Sequence, residues 1–248
     1  MATQDEQGDV RRTSAYYDRT ASEYDRQVEG LAVNRTIRDA FQSRVSELAG
    51  PAGAIVDFGC GTGTDAAWYA ARGHHVVAYD ISAGMVNVLR SVHADAVAAG
   101  QIVPVAGSLD DLDQVLRPLA PVDAIAANFA VLNHVRDLEP LFRVLSSHVR
   151  PGGSLVASLL NPVLLADMRQ RWWWRGALQS LRSGAIAFRG DVTTYRHYVR
   201  AVRRAARPHL ALMEVGHADA DGRWSRGRVG WREAMKQQFV FVVLRKNS

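Results

Sequence analysis

One stretch constrains this chain more than any other. In IVDFGCGTGTD, residues 55–65, an apolar run leads into an acid and then into glycines at alternate positions, Gly59, Gly61 and Gly63. Ile55, Val56 and Phe58 suit a strand buried on both faces, and the glycines allow positive φ and a close approach of backbone to a ligand. The expected result is a parallel strand ending in a loop of the nucleotide-binding type, with a helix following at once.

The spacing narrows the ligand. Dinucleotide loops read G-x-G-x-x-G, whereas the third glycine here comes one residue early and Thr64 stands in the expected place. Asp57, two residues before the first glycine, is set to meet a positively charged amino group. HHVVAYDIS (74–82) reads as a second strand ending in Asp80, a carboxylate able to accept both hydroxyls of a ribose. VPVAGSLDDL (103–112) reads as a third strand and its loop. PVDAIAANFAVLNHV (121–135) reads as a fourth strand with Asn128 and Phe129 at its tip, and RPGGSLVASLLNP (150–162) as a turn and fifth strand.

In this order the segments resemble the motifs of the class I S-adenosylmethionine methyltransferases, over roughly residues 15–160. The resemblance implies that S-adenosyl-L-methionine is the cofactor and S-adenosyl-L-homocysteine the product. It places Asp57, Gly59, Cys60 and Gly61 at the methionine part, Asp80 at the ribose, and Ile81 and Met85 against the adenine. The family often carries an acid after the glycine of the third loop. Ser108 stands there in this chain, so Ser108 or the Leu109 backbone is expected to take the adenine amino group, with Asp110 as a substitute. Asn128 and Phe129 are expected beside the transferable methyl. YYDRTASEYD (16–25) resembles the family's N-terminal cap, which makes Tyr16 and Tyr24 cofactor contacts.

The alternation of apolar strands and amphipathic helices predicts an α/β fold, a doubly wound Rossmann-like seven-stranded sheet, mostly parallel with one antiparallel strand near the C-terminus. With 248 residues, 48% of them hydrophobic, a single domain over 1–248 accounts for the chain. Its expected parts are a flexible tail (1–14), an N-terminal helical cap (15–50), a cofactor-binding core (51–160), a lid insertion (161–195) and a closing helix and hairpin (196–248). The lone Cys60 cannot form an internal disulfide, which fits a reducing cytoplasm. No apolar run reaches the ~18 residues of a membrane span.

Methyl transfer from a sulfonium needs alignment in a dry pocket, and a base only where the acceptor carries a proton. His134, in the loop after the fourth strand, is the candidate base, against a bland reading as part of the helix-entry hydrogen bonding. Tyr195 and His197, with Tyr198, are candidate acceptor contacts or helix anchors. Trp172, Trp173 and Trp174 cannot all share one helix face. They are read as lid residues over an acceptor, led by Trp172 and Trp173, with an oligomer contact or a membrane-surface anchor as the competing readings. Arg196, Arg200, Arg203, Arg204 and Arg207 are expected along one helix face.

Charge is segregated: residues 1–160 hold 13 basic and 19 acidic side chains, a balance of −6, and residues 161–248 hold 17 and 6, a balance of +11. An anionic partner follows from this, either an anionic or carrier-bound small molecule or nucleic acid. The leading reading is methyl transfer to a small-molecule acceptor, with secondary metabolites as a candidate class. An RNA methyltransferase and a non-catalytic S-adenosylmethionine-binding protein are the alternatives. No appended RNA-binding module is recognisable, so nucleic acid is not the expected partner, and no ligand set has metal spacing. Acceptor, methylated atom and oligomeric state stay open at this level.

Overall fold

The computed structural model describes residues 4–29, 32–119, 121–219, 221–226 and 235–247. Three helices come first, α1 (Gln4–Thr20), α2 (Tyr24–Glu29) and α3 (Ala32–Ala49). An alternating core follows: β1 (Ala54–Phe58), α4 (Thr64–Ala70), β2 (His75–Asp80), α5 (Ala83–Val92), α6 (Ala94–Ala98), β3 (Ile102–Ala106), α7 (Leu109–Leu116) and β4 (Val122–Ala127). A 3₁₀ turn (Val131–His134) leads to α8 (Leu138–His148) and β5 (Val149–Leu160). The remainder comprises α9 (Leu165–Met168), α10 (Arg171–Ser183), β6 (Ala185–Arg189), β7 (Thr193–His197), α11 (Val199–Ala206), β8 (Leu210–Ala218), β9 (Trp224–Arg226) and β10 (Phe239–Lys246).

The main sheet has the order β3-β2-β1-β4-β5-β10-β8-β9. β1 to β5 pair in parallel, and β10 lies antiparallel to both β5 and β8. Strand alternation builds a core on each face. Ile55 packs with Phe41 of α3 and Ala66 of α4, while Val56 and Phe58 pack with Leu141 and Phe142 of α8. β1 carries connections to opposite sides, so its C-terminal end and that of β4 form the crevice at which open α/β sheets take ligands.

The doubly wound expectation holds, with corrections at the edges. The main sheet has eight strands and not seven, because Trp224–Arg226 adds an outer strand to β8. Beside it stands a separate antiparallel pair, β6 and β7. Residues 4–14, expected in a flexible tail, belong to α1. Its polar composition reads as solvated, but Thr13 is buried and Asp9 bonds to β7, so tertiary hydrogen bonds hold what hydrophobic burial alone would not. Arg196 lies on β7, ion-paired to Asp167 at 2.5 Å, and so leaves the helical row of arginines.

A candidate active site under the N-terminal helix

The glycine loop leaves β1 with Gly59 at φ 77° and Gly61 at φ 54°. A Cβ on Gly59 would stand 2.4 Å from the Val131 side chain, so both conformation and space require glycine there. The Gly59 and Cys60 amides donate to the Tyr79 carbonyl at 2.7 and 2.9 Å, and Gly61 N–H donates to Asp80 Oδ2 at 2.9 Å. The loop is thereby folded over the end of β2 before any ligand arrives. The Thr62 hydroxyl bonds to Asp25, tying α2 to the same loop.

Asp57 lies beneath this loop, 1% exposed, and its Oδ2 has no hydrogen-bond partner. Burial first, and the neighbouring Asp65 second, push its carboxyl well above the usual carboxylate range. Asp65 accepts from Arg38 at 2.6 Å, from Gln42 at 2.7 Å and from Asn128 at 2.8 Å. An unpartnered carboxylate oxygen beside a paired one is a position that an ammonium group would satisfy. The Cys60 thiol is buried and burial pushes it up, so the residue serves the site through its backbone, not as a nucleophile.

Asp80 closes the other side. Ser82 N–H donates to its Oδ1 at 2.8 Å, which with the Gly61 bond fixes the carboxylate plane and leaves a lone pair on each oxygen for a diol. Ile81, Met85, Tyr79 and Leu109 line the adjoining wall and suit an aromatic ring. Ser108 lines it too, but its hydroxyl and amide both donate to Asp111 in a capping box that starts α7. Asp110 does not line the cavity. The ammonium, diol and ring positions together fit S-adenosylmethionine.

A cavity of about 700 Å³ connects these groups. Of the residues expected at the site, Tyr24, Gly59, Cys60, Gly61, Asp80, Ile81, Met85, Ser108, Leu109, Asn128, Phe129, His134 and Tyr195 line it. Tyr24 is pushed up to about 12 by burial and stays a neutral phenol. Phe129 and Ala130 both hold left-handed backbone, φ 48° and 65°, a strained pair at the tip of β4 stabilised by the Ala130 amide bonding to the Ser158 carbonyl at 3.1 Å.

His134 hangs from the 3₁₀ turn into the cavity. Its Nδ1 lies 3.4 Å from the Thr193 carbonyl, which can only accept, so Nδ1 carries the proton and Nε2 is the acceptor. The Tyr17 hydroxyl, 3.1 Å away, therefore donates to Nε2. Burial lowers the His134 pKa, which keeps the ring neutral, and burial raises that of Tyr17.

Eight expected residues stand outside the cavity lining, Asp110, Trp174 and Tyr198 among them. Asp57 is one layer below it, and Tyr16 packs edge-on against Tyr17, the ring that lines it in its place. Trp173 is buried with its indole N–H on the Pro162 carbonyl at 2.7 Å, and Trp172 packs on Phe188. His197 donates to the Val135 carbonyl at 2.9 Å and so braces the turn that carries His134. Among the described residues of the expected lid, 161–195, only Tyr195 lines the cavity. The roof is α1 instead, through Asp9, Val10, Thr13 and Tyr17. Hydrogen bonds latch it: Asp18 accepts from Ser82 Oγ at 2.7 Å and from Gly84 N–H at 2.8 Å; Ser14 Oγ donates to the Ile81 carbonyl at 3.3 Å; Tyr17 bonds to His134; and Asp9 accepts from Tyr195 at 2.6 Å and from Thr193 at 3.1 Å. Burial works against the Asp9 charge, but hydrogen bonds from Tyr195, Arg12 and Thr193 outweigh it and hold the carboxyl low.

Sequence reasoning gave no role to Arg38, Asp65 or Tyr17, and none to the roof residues before 15. Asp65 and Tyr17 each lie inside a recognised motif, and Arg38 has no local signal. Among the described residues there is no cluster of three metal-ligating side chains and no helix long and apolar enough to cross a membrane.

Comparison with known proteins gives the same site a context. Residues 24–201 match a family model described as a methyltransferase domain. A demethylmenaquinone methyltransferase of Clavibacter sepedonicus is 34% identical over 160 residues, 58% of this chain and 56% of that protein. A malonyl-[acyl-carrier protein] O-methyltransferase of a Methylovorus species is 26% identical over 170 residues, 65% of this chain and 54% of that protein. The chain thus spans about half the length of these curated relatives. In fold it is similar to the 1,6-didemethyltoxoflavin-N1-methyltransferase of Burkholderia thailandensis, with a TM-score of 0.64 at 14% identity over 100% of this chain and 92% of that one.

Proposed function

The chain belongs to the class I S-adenosylmethionine-dependent methyltransferase family, and from this premise we propose that it transfers the methyl group of S-adenosylmethionine to a small-molecule acceptor. The observation that carries the reading is the convergence of the folded glycine loop and the oriented Asp80 carboxylate on one cavity, with an unpartnered Asp57 oxygen buried behind the loop. In this reading Asp57 takes the methionine ammonium, Asp80 the ribose hydroxyls, and Ile81 and Met85 the adenine face, with the Leu109 backbone at the ring edge. Arg38, which lines the cavity and stacks over Phe129 at 4.7 Å, takes the methionine carboxylate while remaining tied to Asp65.

When bound, S-adenosylmethionine supplies an electrophilic methyl on a sulfonium that leaves as a neutral thioether. The chain's own contribution is alignment, exclusion of water and removal of a proton. α1 closes the chamber from above, and the strained Asn128 to Ala130 tip shapes its floor. An acceptor hydroxyl donates to Tyr17 Oη, and as the acceptor oxygen gains the methyl, its proton moves to Tyr17 while the phenolic proton moves to His134 Nε2. The Thr193 carbonyl stabilises the imidazolium that forms, and solvent removes its proton after product leaves. A neutral, buried histidine is ready to accept this proton at neutral pH.

A small acceptor is supported by the size of the chamber, which cofactor and acceptor must share. The +11 balance of residues 161–248 supports an acceptor that is itself anionic or is carried by an acidic partner, and a malonyl-[acyl-carrier protein] methyltransferase among the relatives agrees with that class. The test is isothermal titration with S-adenosylhomocysteine. Binding by the native protein and its loss in Asp80→Ala are expected, and a native protein that does not bind overturns the reading.

A further inference from the structure

Helix α10 has two faces of opposite character. Toward the β6–β7 pair it presents Trp173, Gly176 and Ser180, all buried, and a Cβ on Gly176 would stand 2.6 Å from the Ile186 side chain, so this side is tightly packed. The opposite stripe is Arg171, Trp174, Arg175 and Leu178, at the i, i+3, i+4, i+7 spacing of one helix face, and all four are exposed. Leu178 is 78% exposed and Trp174 59%. The Trp174 indole N–H already donates to the Met168 carbonyl at 2.9 Å, so the rest of that ring faces outward as hydrocarbon. At about 100° per residue, Trp174 and Leu178 form one flank of the stripe and Arg171 and Arg175 the other.

The charge of this face has one sign. Residues 168–190 hold five arginines and no acid. Arg169, Arg171 and Arg175 are exposed, and among the described residues neither Arg171 nor Arg175 has an ion pair. The acids that bound the segment lie on its neighbours: Asp167, on α9, is paired with Arg196 at 2.5 Å, and Asp191 is exposed in the turn between β6 and β7. The stripe itself therefore carries apolar surface and positive charge together.

That combination decides among occupants. A second copy related by a twofold axis would set the stripe against itself and bury Arg171 and Arg175 opposite the same arginines. An anionic bilayer satisfies both flanks, because Trp and Leu enter the boundary between headgroups and acyl chains while arginines stay at the phosphates with their stems along the surface. We propose that α10 docks on an anionic lipid surface, with Trp174 and Leu178 in the headgroup boundary and Arg171 and Arg175 against phosphate. The helix lies in the plane of the surface and does not span it, consistent with the lack of a membrane-crossing helix among the described residues. None of the four residues lines the cavity, so the proposal stands apart from the identity of the acceptor.

The experiment sediments the full chain with vesicles of phosphatidylcholine alone and with vesicles in which about a third of the lipid is phosphatidylglycerol, at about 100 mM salt. Binding to the mixed vesicles is expected to be about tenfold tighter or more. Trp174→Gln with Leu178→Gln, and separately Arg171→Gln with Arg175→Gln, should each weaken it by about tenfold or more. Arg203→Gln with Arg204→Gln removes the same charge from the exposed side of α11 and should weaken it by less than about threefold. Melting curves of the variants report an intact fold. A native protein that does not bind the mixed vesicles, binding untouched by Trp174→Gln with Leu178→Gln, or an equal loss in the α11 variant overturns the proposal. So does a native protein that ignores vesicles and dimerises instead, with the dimer lost in Trp174→Gln with Leu178→Gln.

Discussion

At the scale of single residues, Asp57 sets stability against function. Its buried charge, crowded by Asp65 and with one oxygen unpartnered, is a cost to the fold without cofactor at neutral pH. Asp57→Asn removes that charge with little change of shape, so the variant without ligand is expected to melt no lower than the native protein. Its affinity for S-adenosylhomocysteine should fall about tenfold or more, the loss expected for a charged hydrogen bond. A matched pair of melting curves and titrations checks both halves, and a variant that melts lower yet binds normally contradicts them. Tyr17→Phe and His134→Ala should each lower turnover by roughly a hundredfold while leaving cofactor affinity within about twofold, as removal of a proton relay does. Unchanged turnover in both with a proton-bearing acceptor removes the relay. The position of Asp57 is plain from the motif, but its need for a partner is not, because Asp65 and Arg38 reach it only through the packing of α3 against α4.

His197 gives a second residue-scale outcome, in pH. Burial lowers its pKa below the ordinary 6.5, so the unfolded chain takes up the proton first as pH falls. Its contribution to stability is therefore full above about 6.5 and is lost as pH falls through that value toward the folded pKa. His134 has the same sign. Asp57 and Asp80, whose folded values are raised, work in the opposite direction, so the histidine share is read by difference. The fall in urea midpoint between pH 7.5 and 5.5 should be smaller in His197→Gln than in the native protein, since glutamine can keep the donor to Val135 without gaining charge. Equal falls would show that His197 does not contribute to the dependence.

At the scale of elements, α1 decides whether the site is a groove or a closed chamber. Its grip is polar and distributed over Asp18, Tyr17, Ser14 and Asp9, so a single substitution should loosen it without unfolding the sheet. Asp18→Ala removes the bonds to Ser82 Oγ and Gly84 N–H at once. Faster release of S-adenosylhomocysteine, by several-fold, is expected, together with lost amide protection along residues 9–20 and little change in β1 to β5. Unchanged exchange in α1 would mean that the remaining latches suffice. This element was illegible locally for a physical reason. QDEQGDVRRTSAYYDRT has no broad apolar stripe, and the partners of Asp9 and Asp18 lie 186 and 66 residues away in the chain. α10 shows the reverse error. Three consecutive tryptophans look like a lid, but Trp173 is buried on its own connection and Trp174 is 59% exposed, away from the cavity.

For the whole molecule, strand order and the place of the crevice follow from periodicity and the glycine loop. Ile55 and Val56 must face opposite sides, and a loop that needs glycine at the end of a buried strand marks the ligand end. The roof and the Tyr17 to His134 pairing depend on long-range docking that no window of sequence contains. The same scale decides between the small molecule and RNA. The row of Arg200, Arg203 and Arg204 on α11, with Arg207 at its C-cap, is exposed, and α11 packs against α8 and β8, whereas Tyr17 and His134 line a chamber of about 700 Å³ roofed by α1. RNA on that face has no path that places a base under Tyr17 without displacing α1. Mixed RNA should therefore bind weakly, with an affinity that falls steeply between 50 and 200 mM salt as counterion release dictates, and should take no methyl group from labelled S-adenosylmethionine. Salt-resistant binding with transfer of label to RNA would place the acceptor on the basic face and reject the enclosed chamber as the site of reaction.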